Sequence, residues 1–244
     1  MRSFLRMALK DRGENPFRIG WESAKANAVP MVVLWLFAVG LVVGYYFVLG
    51  IAEGLKPIAE WQVRWGIRAA IVNQLVFGVL LPAVFVVSNR RIRVRRPLLK
   101  LACQAGWSVM YAVIFVWFYG LQAAMFGKDN DFTTLALKAA FDQFVWTPFV
   151  WMPISSVFYL WMGNDFSVAK TVERCRSGFV RGVLMPNQVS GWCVWIPVVF
   201  VIYAFPHALQ FQILGLVNAL WTLLLLQIGT RISDDKQQGV LEGR

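Results

Sequence analysis

Six apolar runs, each close to the length that crosses a lipid bilayer, constrain this chain more than any other feature. They cover approximately Val29–Leu49, Trp65–Val87, Leu98–Phe126, Ala139–Trp161, Val189–Phe205 and Ala208–Ile228. A hydrocarbon core of about 30 Å takes roughly 20 helical residues. The runs are continuous rather than alternating, which argues against a membrane β-barrel. Composition agrees: 58% of the 244 residues are hydrophobic, 15% are charged and the mean hydropathy is +0.57. The predicted fold is all-α, a polytopic transmembrane helical bundle of about six spans. The fifth run is short and broken by Pro197, and Pro206 and His207 alone part it from the sixth. Four full spans plus a re-entrant hairpin is therefore the alternative.

Loop charges orient such a bundle, because Lys and Arg accumulate on the cytoplasmic side. With six spans, nineteen of them fall on one side: Arg2, Arg6, Lys10, Arg12, Arg18 and Lys25; Arg90, Arg91, Arg93, Arg95, Arg96 and Lys100; Lys170, Arg174, Arg176 and Arg181; Arg231, Lys236 and Arg244. The other side holds five: Lys56, Arg64, Arg68, Lys128 and Lys138. Both termini are thus expected inside. The chain divides into a basic amphipathic membrane-surface leader (1–28), the bundle (29–230) and a polar tail (231–244). The first run is too long for the apolar region of a signal peptide. An inner-surface amphipathic helix is expected near 165–185, capped by Asp165, with Phe166, Val172, Phe179 and Val183 toward lipid.

The net charge of +11 needs no nucleic acid, since the basic runs alternate with spans. Anionic lipid heads on the cytoplasmic side are the expected partners, and a homo-oligomer is possible. The single His207 leaves no parts for a histidine metal site or a nucleophile–His–acid triad. Cys103, Cys175 and Cys193 show no disulfide or metal spacing. No catalytic residue, metal or cofactor is expected, and the chain reads as non-enzymatic. Gly40 and Gly44 form a GxxxG, read as close packing within the bundle ahead of a dimer seam.

Polar groups inside the spans are the candidate site. A charged group at mid-bilayer costs roughly 2.5–3.5 kcal/mol on insertion scales, so it faces a partner or water. With the orientation above, Arg68, Asn73, Gln74, Gln122, Asp142, Gln143 and Gln210, with His207, converge on or below the outer third of the bundle. Asp142 is expected to pair with Arg68, with Gln122 and Gln143 taking the remaining hydrogen bonds. The pair either fixes helix packing or lines a polar cavity.

Several of these residues carry a resemblance. Arg68, Gly78 and Pro82 repeat an R…G…P spacing. "KAAFDQFVWTP" resembles a K-x-x-x-D-Q-x-x-x-x-P signature through Lys138, Asp142, Gln143 and Pro148. "WIPVVFVIYAFP", with Trp195, Pro197 and Pro206, is similar to a W-x-P…V-P segment, and Trp221 falls where a Trp-Asn pair stands. Over roughly residues 60–228 the chain resembles the family of small integral membrane proteins named after the Mpv-seventeen protein and a peroxisomal membrane protein. The pair that follows the Gly-Pro element is absent after Pro82, Gln210 replaces an Arg, and Thr222 replaces the Asn. These departures point to a bacterial branch in the plasma (inner) membrane, with a mitochondrial inner or peroxisomal membrane as the alternative. The resemblance implies channel-like or transporter-like passage of small solutes. A non-transporting structural or scaffold role is the other expectation.

Overall fold

The computed structural model describes residues 15–89, 94–129 and 131–242, with side chains as far as 226. The first half of the leader (1–14), residues 90–93 of the Arg-rich loop after the second run and the side chains of the tail lie outside the described residues. Among those described there is no strand. Six helices are long and apolar enough to cross a membrane: Ala28–Phe47, Ile67–Ser88, Pro97–Phe126, Phe132–Gly163, Val180–Ala204 and His207–Leu226. They are the first to sixth spans below. The fold is all-α with six candidate spans. The fifth helix runs through Pro197 without a break and is 25 residues long, so the short, broken run on which the hairpin alternative rested is not what forms.

The helices divide into two compact units. Of the described residues, those within 15–31 and 135–200 make one and those within 32–134 and 201–242 the other. In the first, a leader helix (Pro16–Ala26) starts where Asn15 Oδ1 accepts from the Phe17 N–H at 3.0 Å, with Pro16 at its first position. Phe17 and Trp21, four apart, stay exposed, while Gly20, Ser23 and Ala24 are buried. Gly20 lies against the fifth span. A Cβ there would stand 2.6 Å from Val189 Cβ and 2.8 Å from the Pro186 carbonyl oxygen.

The fourth span ends differently from expectation. Asp165 has φ +58, and its N–H bonds Met162 O at 3.3 Å while Phe166 N–H bonds Trp161 O at 3.0 Å. That pair of bonds closes a helix C-terminus with Asp165 in the left-handed position after the last turn. Asp165 therefore stops the span rather than capping the next helix. The cap is Ser167, whose Oγ accepts from the Lys170 N–H at 3.4 Å. The inner amphipathic helix is short, Val168–Arg176, and the fifth span begins soon after, at Val180. Phe166 precedes that helix and packs edge-on against Trp161 at 5.0 Å.

In the second unit the second, third and sixth spans pack through small and aromatic residues. Ala69, Ala70, Ala112, Phe118 and Val217 are fully buried. Tyr111 stacks on Phe115 at 4.2 Å, and Tyr119 meets Tyr203 edge-on at 5.8 Å. The stretch between the first two spans, expected as a loop, is a helix (Ile51–Trp65) with no buried residue. Gly50 (φ +88) and Gly66 (φ +51) bracket it, and positive φ at both ends favours glycine. Its charges alternate as Glu53, Lys56, Glu60 and Arg64 at helical spacing, which supports a surface helix. Gly40 is exposed with open space where its Cβ would be, so it makes no close helix contact in this chain.

Three spans widen into π turns, at Val76–Leu80, Asp142–Trp151 and Val180–Leu184. In each case the residue just after the turn donates its N–H five residues back: Leu81 to Val76, Met152 to Thr147 and Met185 to Val180. Each donor immediately precedes a proline: Pro82, Pro153 or Pro186. A proline ring clashes with the carbonyl four residues before it and brings no N–H. Opening the turn to five residues relieves that clash while keeping the neighbouring bond. Pro30, Pro57 and Pro197 stand in helix without such a turn, so the proline permits the widening and does not compel it.

Candidate functional site: the buried polar residues of the spans

The fourth span carries the densest set. Asp142, at the first position of its π turn, is only 4% exposed. Its Oδ1 accepts from the Thr147 hydroxyl at 2.9 Å and from Gln143 Nε2 at 3.3 Å. Thr147 is five residues on. In an α-helix, five residues turn through about 500°, leaving two side chains some 140° apart. In a π turn, residues five apart stack. The widened backbone is what carries the hydroxyl to the carboxylate.

Gln143 is buried too, and its carbonyl accepts from Trp192 Nε1 at 2.8 Å, tying the fourth span to the fifth. The Phe144 and Trp192 rings sit 5.5 Å apart beside that bond. One turn before Asp142, on the same helix face, lies Lys138, 2% exposed. The charge count sets Lys138 among the outer charges of the topology, yet it is among the least exposed ionisable groups described. The signature Lys138, Asp142, Gln143 thus brings a buried cation and a buried anion onto one face. Pro148 falls within the same π turn.

The second unit holds the rest of the set. Asn73 Nδ2 donates to the Phe211 carbonyl at 3.3 Å, joining second and sixth spans, and its amide lies where a Cβ of Gly215 would otherwise be. Gln210 Nε2 donates to the Phe205 carbonyl at 3.0 Å and the Tyr203 carbonyl at 3.3 Å. It thereby satisfies carbonyls left open where the fifth span ends at Pro206. Gln122 is buried in the third span, and Gln74 in the second beside Ser108 and Gly78. Arg68 is the second residue of its span and is exposed, a position from which a guanidinium reaches the headgroup layer. Trp195 and Trp221 are half-buried and Pro197 is exposed.

The structure therefore sorts the expected residues into two groups. Lys138, Asp142 and Gln143 belong to the first unit. Arg68, Asn73, Gln74, Gln122 and Gln210 belong to the second. The hydrogen bonds described for Asp142 come from Thr147 and Gln143, residues of its own turn. Thr147, Ser108, Trp192 and Gln212 are participants that sequence reasoning missed. Gln212 donates to Gln62 of the 51–65 helix. Among the described residues, no three His, Cys, Asp or Glu side chains come together as a metal site would require. Comparison with protein-family models, with curated proteins and with solved structures returned no match. What is established is the class: an integral membrane protein with six candidate membrane-spanning helices.

Proposed function

We propose that this protein is of the Mpv-seventeen type and allows small solutes to cross the membrane that holds it, without catalysing a reaction. The observation that supports this reading is the buried Lys138–Asp142–Gln143 face of the fourth span. Ionisable groups inside spans carry a large insertion cost and mark solute or ion pathways more often than other intramembrane residues do. A π turn at the same place adds support, since such turns concentrate at functional sites. The reading includes a bacterial plasma membrane, cytoplasmic termini and anionic lipid against the basic inner segments Lys170–Arg181.

A scaffold role is the second reading. It is favoured by Asn73 and Gln210, whose amides serve helix-to-helix and helix-end bonds. Reconstitution of the purified chain into sealed liposomes separates the two. Efflux of trapped small solutes, reduced by Asp142→Asn, supports passage. Liposomes as tight as protein-free ones across a range of solute sizes and charges support the scaffold.

A further inference from the structure

Two polar side chains in the second and third spans are buried without a hydrogen bond to any described protein group. Gln74 is 3% exposed and Ser108 is 0% exposed; the atoms concerned are Gln74 Oε1 and Ser108 Oγ. They meet at one point. A Cβ on Gly78 would lie 2.7 Å from Gln74 Nε2 and 3.3 Å from Ser108 Oγ. Amide and hydroxyl therefore stand over the same bare stretch of backbone, within reach of a single bridging water.

The backbone supplies a third polar group. Gly78 lies in the Val76–Leu80 π turn, where the Leu81 N–H reaches back to Val76 O. Pro82 has no N–H, so the carbonyls of Phe77 and Gly78 outnumber the donors that could reach them. Side-chain amide, hydroxyl and spare carbonyl are thus gathered on the glycine side of one turn.

We propose that Gln74, Ser108 and the backbone at Phe77–Gly78 form a binding site for a small uncharged hydrogen-bonding molecule, namely water, inside the second and third spans. The donor and acceptor count selects the ligand. Gln74 Oε1 and a free carbonyl need donors, and Ser108 needs either an acceptor or a donor. Water offers two donors and an acceptor in one small body. A cation would find neutral oxygens with no carboxylate, and an anion would find spare carbonyls beside the single amide donor, Gln74 Nε2. Gly78 is the residue that admits the amide this close to the backbone, because any side chain there would collide with it. This inference stands whether or not the protein passes solutes.

The test uses the full chain in detergent. Gln74→Met and Ser108→Ala each remove one polar partner while nearly keeping size. With water bound, each single change lowers the apparent melting temperature by about 2–4 °C. The double change lowers it by less than the sum, since both strip the same water. If instead each single change raises the melting temperature, the groups are dry and the proposal is overturned. A direct Gln74–Ser108 bond would imitate the coupling, so water-edited solid-state NMR of the wild type decides between them. A cross-peak from long-lived water to the Gln74 side-chain amide, lost in Gly78→Ala, is expected. Its absence in the wild type overturns the site even if the variants do not fold.

Discussion

Thr147 donates its hydroxyl to Asp142 Oδ1 at 2.9 Å, five residues and one π turn away. The carboxylate that looks anomalous in a lipid-soluble stretch thus has a donor within its own turn. Gln143 adds a second donor at 3.3 Å. A hydrogen bond of this kind contributes about 0.5–1.5 kcal/mol, and a buried acceptor left unsatisfied costs about 1–3 kcal/mol. Thr147→Val keeps the shape and loses the donor. It should lower stability by about that amount, whereas Thr147→Ser should stay close to wild type. Thermal melts in detergent check both.

The bond spans the first half of the 142–151 π segment, where Thr147 immediately precedes Pro148. Pro148→Ala restores an N–H and removes the ring clash there. The expected result is a return of residues 142–147 toward α-helix, which swings Thr147 away from Asp142. In that background Thr147→Val should add little further loss. Two losses that simply add would show that the bond survives without the π turn.

Lys138 and Asp142 share a face and are both buried, while Arg68 is exposed. Removing one charge of a buried set costs about 3–5 kcal/mol because the other is left uncompensated. Lys138→Met alone and Asp142→Asn alone should each reduce folded yield sharply, and the double change should recover part of it. Arg68→Leu, at an exposed position, should shift stability by no more than about 0.5 kcal/mol. A larger effect at Arg68 than at Lys138 would show that burial does not set the ranking.

Gly20 holds the leader helix against the fifth span. Gly20→Ala would press a methyl onto the Pro186 carbonyl and Val189, and one of those contacts is backbone. Overpacking of this kind costs roughly 1–3 kcal/mol. Faster proteolysis within residues 15–27, with the remaining spans intact, is the expected readout.

Outside the spans, Asp131 opens the fourth helix. Its carboxylate is held below the usual value by the Thr134 hydroxyl first, then by the Thr134 and Thr133 backbone N–H groups at 3.1 and 3.0 Å. A lowered folded value means that its contribution is present above the unfolded value near 3.8 and fades as pH falls through the folded one. Carboxyl-carbon NMR titration should place its midpoint below 3.8. Thr134→Val should move that midpoint upward.

The spans were legible because hydropathy over some twenty residues needs no knowledge of packing. The helix 51–65 was not: its apolar residues recur at helical spacing, but its 15 residues are too short to span, Pro57 stands inside it and none of its residues is buried. Asp142 and Gln143 could be singled out as polar groups in lipid-soluble sequence. Thr147 could not, because an α-helical wheel puts it on a different face. Ser108 escaped as one small hydroxyl among apolar neighbours. Lys138 was counted by its distance from the span edge, and only the helix start at Phe132 shows that it lies well inside.

The π turns also change how this chain should be aligned and edited. A span that bonds five residues back at one point contains one residue more than a regular helix of the same rise. Everything beyond that point is rotated by about 100° relative to a wheel drawn from the start of the span. The halves of the second, fourth and fifth spans therefore need separate wheels. A sequence lacking one residue at any of these three places would be the nearer relative in architecture, although pairwise alignment would score it with a gap in the middle of a membrane helix.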